Sequence, residues 1–368
     1  MLFRSVVSTT QSVCDAVAAD VGWDIYMLKA GTCGLTASQA GNSSYNAAAD
    51  VPVSFVVSKV SQTVSYAPPN KTFGDGAFSV DPATSAVGEG FTPSYSGGTS
   101  GVCSINSTTG EITIIGAGTC SVQADYPGNE RVNTGSSGAK SFTVAKKDQS
   151  MSFSQSGKTF GDANFQVTAS TDATGSGSIT YTSTTTGVCT TTSSGTVTIV
   201  TAGTCQIAAE HPGNGNWSQG NISASFIVAR KNQSTSFSQS GKTFGDSSFN
   251  VGASTNATGS GGFAYTSMSA DVCTTTSSGT VSIVSAGDCS ITAEHPGNGN
   301  WNPASVSVTF AVGKKNQSAS FSQSGKTFGD SSFNVGASTN ATGAGAFAYT
   351  STSTGICTVT GEIGRAHV

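Results

Sequence analysis

The sequence predicts an all-β chain of small β-sandwiches strung in tandem as a linear array. Three observations predict it. The 24-residue stretch SFSQSGKTFGDSSFNVGASTNATG runs from Ser236 to Gly259 and recurs, letter for letter, from Ser320 to Gly343. Cysteines keep the same period as that stretch. Short segments alternate apolar and polar residues at period two, and no segment holds a helical period over about ten residues. A fixed internal period marks a repeat architecture and is sought before any catalytic motif.

The register places the elements in order. The Lys of the GKTFGD-type motif stands at Lys71, Lys158, Lys242 and Lys326, in steps of 87, 84 and 84. Cys103, Cys189, Cys273 and Cys357 each follow Val or Ile, and Cys33, Cys120, Cys205 and Cys289 each close AGTC or AGDC. Each unit then runs through a Gly-Asn loop, an apolar strand and a short junction ending in Gln62, Gln149, Gln233 or Gln317. This divides the chain into a partial repeat over 6–61, whole repeats over 62–148, 149–232 and 233–316, and a truncated repeat over 317–362.

The two ends are read differently. MLFRS (Met1 to Ser5) is what GTG-CTC-TTC-CGA-TCT encodes with GTG as the start codon. IGRAHV (Ile363 to Val368) is what ATC-GGA-AGA-GCA-CAC-GTC encodes. The two DNA strings are largely reverse complements and resemble a sequencing adapter. Residues 1–5 and 363–368 are therefore set aside as adapter-like artefacts, like any processing scar. On this reading the chain is an internal fragment of a longer reading frame, and near-identical repeats are where short-read assembly breaks.

Composition narrows the class. Only 10% of residues are charged and the net charge is −4. Nucleic-acid binding needs a clustered basic face, which this balance argues against. The Lys/Arg pairs at the junctions read as solvated linker residues. No apolar run approaches the roughly 20 residues of a membrane span. With 36% hydrophobic residues, disorder is the first alternative. Strand patterning argues against it. Between 149 and 232, Ile179 and Tyr181 share a face, as do Val197 and Ile199, Cys205, Ile207 and Ala209, and Ile222, Ala224, Phe226 and Val228. Thr and Ser on the other face suit a pleated, half-buried surface. Six or seven short strands split by Gly-rich turns read as a small sandwich.

A domain of this size buries only about 60% of its unfolded surface and needs further support. Two Cys per repeat, 16 or 17 apart in the whole repeats, supply it if they pair as Cys14–Cys33, Cys103–Cys120, Cys189–Cys205 and Cys273–Cys289. Closing such a loop is worth about 3 kcal/mol in the chain-entropy model. The ninth, Cys357, is left unpaired because the AGTC segment that would partner it lies beyond the truncation. Recurring pairs imply an oxidising compartment. The alternative is buried free thiols acting as small hydrophobes.

With these residues in hand, the chain resembles tandem bacterial immunoglobulin-like repeats of large secreted or cell-surface, adhesin-like proteins. K-T-F-G-D at Lys71 to Asp75, Lys158 to Asp162, Lys242 to Asp246 and Lys326 to Asp330 carries part of the resemblance. The rest is V-C…G-x-V-x-I-V-x-A-G-T-C-x-I-x-A…G-N-x-x-[YW], spanning Val188 to Trp217. It is also similar to the bacterial group-2 Ig-like pattern, with Cys where Ala is usual. Residues 15–29 depart from it, and Val132 replaces the aromatic of Tyr45, Trp217 and Trp301. The resemblance implies an Ig-like sandwich and an extracellular or cell-surface place, and no particular ligand.

Catalytic readings fail on geometry. GKT lacks the upstream Gly and following helix of a P-loop: Ser152 and Ser236 occupy the required Gly position. It reads as a turn, with Gly taking an unusual backbone angle and Asp162 capping a loop amide. Glu210-His211 and Glu294-His295 read as polar loop tips rather than a triad or metal site. Calcium at the FGD aspartates needs several converging oxygen ligands, which sparse acidic residues do not provide. Trp217 and Trp301 are candidate surface contacts for sugar rings, against folding onto a sandwich end.

The expected function is a non-catalytic stalk or adhesive spacer of an extracellular or surface protein, with no cofactor and no metal. Its partners are neighbouring repeats of the same chain, with cell-surface glycans or proteins as outside candidates. Junctions of about five residues between strands leave neighbours little freedom to swivel. The alternatives are a spacer array in a secreted multidomain polysaccharide-active enzyme and an Ig-like virion surface protein.

Overall fold

The computed structural model describes residues 4–175, 177–259, 261–343 and 345–359. Among these, all regular structure is β-strand, so the fold is all-β. The chain divides into two compact units. One holds Met1–Ser156, Asn164–Thr198 and Cys205–Phe226; the other holds Gly157–Ala163, Ile199–Thr204 and Ile227–Val368. The divide falls inside residues 149–232 and not at a junction between repeats.

In the first unit, residues 62–148 form a complete sandwich. One sheet runs Ser94–Gly97, Gly118–Tyr126, Lys140–Ala145, Lys71–Thr72, with Gly135–Ser136 beside the long strand. The facing sheet runs Cys103–Ile105, Glu111–Ile114, Phe78–Ser79, and Val64–Ser65 pairs with Ala83–Thr84. Pairing is antiparallel except at Lys71 and Thr72, which lie parallel to Val144 and Ala145. Period-two alternation puts Cys120, Val122, Ala124 and Tyr126 of one strand into the core. Cys120, Val122 and Ala124 meet Val80, Tyr95, Ile112, Phe142 and Val144 there.

In the second unit, residues 233–316 repeat the arrangement. Lys242–Thr243, Ala304–Gly313, Gly287–His295 and Ala264–Ser267 form one sheet; Phe249–Asn250, Thr280–Ile283 and Cys273–Thr275 form the other. The pair Thr235–Phe237 with Ala253–Thr255 corresponds to the pair at 64–65 and 83–84. Within residues 149–232 the same partners meet inside each unit. Phe165 faces Val197 and Tyr181 faces Ala209 in the first; Lys158 faces Val228 in the second.

Four disulfides cross the cores: Cys14–Cys33, Cys103–Cys120, Cys189–Cys205 and Cys273–Cys289, with Cα–Cα distances of 5.6 to 5.8 Å. Each joins the strand after the Val-Cys turn to the long strand of the facing sheet. Cys357 is free and exposed. Four buried disulfides in small domains fit an oxidising compartment.

The outer segments are less complete. Arg4–Ser8, Gly31–Gln39 and Val51–Val57 form one sheet, and Cys14–Ala18 pairs with Trp23–Met27. Residues 15–29, which depart from the repeat pattern, thus still supply a hairpin in register. Arg4 and Ser5 stand in the first strand, opposite Gln39 and Ser38, because an extended backbone there satisfies that sheet edge. Residues 1–3 and 363–368 lie outside the described residues. Over 317–359 the paired strands are Ala319–Phe321 and Ala337–Thr339.

Candidate functional site

The features that recur in phase and lie outside the cores gather at the junctions between repeats. The Gly-Asn loop is built first. Asn42, Asn129, Asn214 and Asn298 each accept two backbone N–H groups through Oδ1, from the residues two and three further on. Such a turn fixes the loop locally and aims the residue after it. That residue is Tyr45, Val132, Trp217 or Trp301.

At the junction before residues 149–232, the loop closes on the preceding repeat. Trp217 is 5% exposed, its ring edge-on to Phe73 of the KTFGD turn at 6.1 Å between centroids. Lys147 places its ammonium 5.1 Å from the indole centroid. The Lys147 N–H donates to the Asn216 carbonyl at 3.0 Å, and the Ser218 N–H donates to the Lys147 carbonyl at 2.9 Å. Asn216 Oδ1 accepts the Ala117 N–H of the preceding AGT turn at 2.8 Å.

The next junction copies this arrangement. Trp301 is 7% exposed and lies 6.2 Å from Phe160, edge-on. Lys231 is 5.7 Å from its ring. The Lys231 N–H donates to Asn300, and Asn302 donates back to Lys231, each at 2.9 Å. Asn300 Oδ1 accepts the Ala202 N–H at 2.8 Å.

The first junction keeps the backbone scheme and changes the side chains. Val132 stands at the Trp position, 5% exposed. The Val60 N–H donates to Arg131, and Asn133 donates to the Val60 carbonyl, each at 2.9 Å. The Ala30 N–H, at the position of Ala117 and Ala202, donates to the main-chain carbonyl of Glu130. Arg131 Nε donates to the Leu28 carbonyl at 2.7 Å, and Lys29 pairs with Glu130 at 3.2 Å.

Burial therefore corrects the reading of Trp217 and Trp301 as surface contacts. Each ring is covered by the repeat before its own, and each indole N–H is buried without an acceptor in the protein. Tyr45, whose loop faces no earlier repeat among the described residues, is 77% exposed. The KTFGD turn matches the turn reading. Asp75, Asp162, Asp246 and Asp330 each accept a Thr N–H at 2.9 or 3.0 Å, and Gly161 has φ 84°. Its Phe is the part the sequence left without a role.

His211 and His295 are not loop tips: they are 4% and 2% exposed. Each Nδ1 accepts a Gly N–H, from Gly213 and Gly297, at 3.2 Å. Glu210 and Glu294 are exposed on the opposite strand face, as neighbours in a strand must be, so no acid–base pair forms. Among the described residues no three His, Cys, Asp or Glu side chains converge as metal ligands. Gln62, Gln149 and Gln233, which serve as boundary markers in the sequence, brace the loop from below. Each amide donates to the carbonyl of Asn133, Ser218 or Asn302 at 2.7 Å. Each Oε1 accepts a hydroxyl, from Thr84, Thr171 or Thr255. Recurrence of one polar residue in phase was the available signal.

No family model matches the chain. No curated protein matches it. Solved structures similar to it include the tetra-tandem repeat in the extending region of a large adhesion protein, 16% identical, covering 84% of this chain and 91% of that one, with TM-score 0.32. Drosophila N-cadherin EC1-4 is 12% identical, covering 85% and 92%, with TM-score 0.27. Surface layer protein SbsC, domains 1-6, is 15% identical, covering 85% and 50%, with TM-score 0.24. At these scores the likeness says nothing of what this chain binds.

Proposed function

We propose that the chain is a non-catalytic structural or adhesive repeat region, a stalk or spacer, of a large bacterial extracellular or cell-surface protein. The observation that supports this is the junction itself. In three successive junctions the Gly-Asn loop of one repeat is bonded to the linker residue and to the AGT-turn amide of the repeat before it. Bonds of this kind set the position of neighbours and turn over nothing. Adding a repeat adds one nearest-neighbour interface and leaves the fold unchanged, so length is free to vary. The recurring disulfides support an extracytoplasmic place, and the bacterial assignment rests on the KTFGD and Val-Cys…Ala-Gly-Thr-Cys resemblance.

Two experiments test the reading. Broad hydrolase and transferase screens on the purified chain are expected to be blank; a turnover abolished by one point substitution overturns it. Small-angle scattering on residues 62–148, 62–232 and 62–316 is expected to show the maximum dimension rising by a near-constant step. Strands rising about 3.3 Å per residue put that step at about 35 to 45 Å. Growth as the cube root of repeat number means side-by-side packing and rules out a stalk.

A further inference from the structure

Two Asn-Gly dipeptides occur in the chain, Asn214-Gly215 and Asn298-Gly299, and both lie in the loops that carry the buried tryptophans. In the other two Gly-Asn loops the residue after the Asn is Ser43 or Glu130. All four loops share one turn, with the Asn side chain accepting from the residues two and three further on. What distinguishes the tryptophan loops at this position is therefore chemistry, the residue whose nitrogen lies next to the Asn side chain.

The turn prepares each of these side chains for attack by its own backbone. Asn214 Oδ1 accepts the N–H groups of Asn216 at 2.9 Å and Trp217 at 3.1 Å. Asn298 Oδ1 accepts those of Asn300 at 2.8 Å and Trp301 at 3.0 Å. Two fixed donors on a carbonyl oxygen make its carbon more electrophilic and stabilise the oxyanion that forms when a nucleophile adds. The amide nitrogen is held too: Asn214 Nδ2 donates to the Thr174 carbonyl at 2.8 Å, and Asn298 Nδ2 to the Thr258 carbonyl at 2.9 Å. The nucleophile is the nitrogen of the following glycine. Gly215 and Gly299 are exposed, and their N–H groups make none of the hydrogen bonds that hold the loop. With no Cβ on the glycine, nothing shields that nitrogen.

We propose that Asn214 and Asn298 are sites of spontaneous deamidation in the folded chain, and that their conversion releases the two tryptophan junctions. Solvent hydroxide takes the proton of the Gly215 N–H. The nitrogen pair forms a bond to Asn214 Cγ while the carbonyl pair moves onto Oδ1, beneath the two N–H donors. The oxyanion collapses, the Cγ–Nδ2 bond breaks, and Nδ2 leaves as ammonia with a proton from water, which restores the hydroxide. Water then adds to either carbonyl of the cyclic imide. Opening on one side gives Asp; opening on the other gives isoaspartate, with the main chain running through Cγ. Water is consumed and ammonia released in equal amounts, and nothing is oxidised or reduced. Asn298 and Gly299 follow the same course.

Either product undoes the turn. A carboxylate has no proton to donate, so an Asp at 214 sets a negative oxygen against the Thr174 carbonyl. Isoaspartate lengthens the main chain by a methylene and withdraws the acceptor from the Asn216 and Trp217 N–H groups. Those two residues are the ones that reach the preceding repeat: Asn216 caps the Ala117 N–H, and the Trp217 ring packs on Phe73. Asn300 and Trp301 do the same for Ala202 and Phe160. The first junction, built on Asn129-Glu130, keeps the turn and lacks the glycine, so it outlasts the other two. The chemistry depends on the loop alone and does not require that the chain serve as a stalk.

The test incubates the folded 368-residue chain in mildly alkaline buffer and follows each loop by peptide mapping, with enzymatic methylation marking isoaspartate. Conversion at Asn214 and Asn298 is expected to outpace that at Asn42 and Asn129 in the same sample by about tenfold or more, a barrier difference of about 1.4 kcal/mol or above. Gly215→Ala and Gly299→Ala are the controls, since a Cβ at either position meets open space and neither glycine has a positive φ. Each is expected to suppress conversion at its own site and leave the other site unchanged. As the parent chain converts, amide hydrogen exchange at Ala117 is expected to rise with the converted fraction at Asn214, and exchange at Ala202 with that at Asn298. In the alanine variants the amide beside the protected site is expected to stay slow. Conversion seen only in the urea-unfolded chain, or equally fast at Asn129, overturns the assignment of the sites. Full conversion with exchange at Ala117 and Ala202 unchanged overturns the release of the junctions.

Discussion

The first junction and the two that follow join repeats by the same backbone scheme and different side chains. In all three a linker residue, Val60, Lys147 or Lys231, exchanges hydrogen bonds with the Gly-Asn loop of the next repeat. In all three the AGT-turn amide of Ala30, Ala117 or Ala202 is capped by that loop. The cap is a main-chain carbonyl at the first junction and an Asn side chain at the others. The filler is Val132 at the first, and Trp217 or Trp301 against a Phe ring at the others. The lesson is a division of labour. The loop turn and the linker set where the next repeat sits, and the side chains set how strongly it is held there. Arg131 and the Lys29–Glu130 pair add polar contacts where the aromatic pair is missing.

The largest expected difference is in the filler. Trp217→Ala and Trp301→Ala each remove a large buried ring and are expected to cost about 3 to 5 kcal/mol, the usual range for buried aromatics. Val132→Ala removes two methyl groups and is expected to cost about 2 kcal/mol at roughly 0.8 kcal/mol per buried carbon. Urea unfolding of the full chain measures both. Equal losses at all three junctions would break the comparison.

Next comes the cap. Asn216→Ala and Asn300→Ala leave the Ala117 and Ala202 amides without their acceptor, at about 1 to 3 kcal/mol for a buried orphan donor. Glu130→Ala leaves the Ala30 cap intact, since that acceptor is main-chain, and is expected to leave exchange at the Ala30 amide unchanged. Faster exchange there would show that the Glu side chain, not the backbone, holds the first junction.

A further contrast lies in the repeats that the junctions connect. Tyr66 stands where Phe153 and Phe237 stand in the next two repeats. Its hydroxyl is buried without a partner, and burial, with Tyr95 nearby, pushes its pKa up to about 12. A raised tyrosine pKa means the fold favours the neutral form. That stability is fully present below pH 10, the ordinary value, and is lost as pH rises towards 12. Residues 62–148 are expected to loosen first in alkali, by circular dichroism and exchange, and Tyr66→Phe to reduce the difference, with Tyr95 and Tyr126, whose pKa values burial also raises, retaining the rest.

The smallest effect belongs to the Lys29–Glu130 pair, whose side chains are 30% and 72% exposed. Its removal by Lys29→Met is expected to cost under about 1 kcal/mol and to vanish in high salt. A salt-resistant loss would mean the first junction depends on charge more than its geometry implies.

Much of the fold was legible in the sequence. Period-two alternation marks the core faces of the long strands from Gly118 and Gly287, and cysteine parity points to the bridges. The junctions were legible only in part. A strand pattern reports which residues share a face within one repeat, and it carries no information on what lies across a linker. Trp217 therefore reads as a loop side chain, although its partner, Phe73, lies 144 residues earlier (217 − 73 = 144). His211 reads as a loop residue because it precedes Pro-Gly, yet it ends a strand with its ring on the inner face. Gln149 marks a boundary in the sequence, and only the structure shows its amide tied to Ser218 and Thr171.

The central claim is that the tryptophan loop of one repeat holds the end of the repeat before it. Amide hydrogen exchange in the full chain tests it most directly, because the Ala202 N–H is bonded to Asn300 and the Ala117 N–H to Asn216. Trp301→Ala is expected to speed exchange at Ala202 and Lys231 by tenfold or more, a change of about 1.4 kcal/mol or above in local opening. Exchange at Ala117 and Lys147 is expected to stay as it was. No change at Ala202, or an equal change at both junctions, would contradict the account.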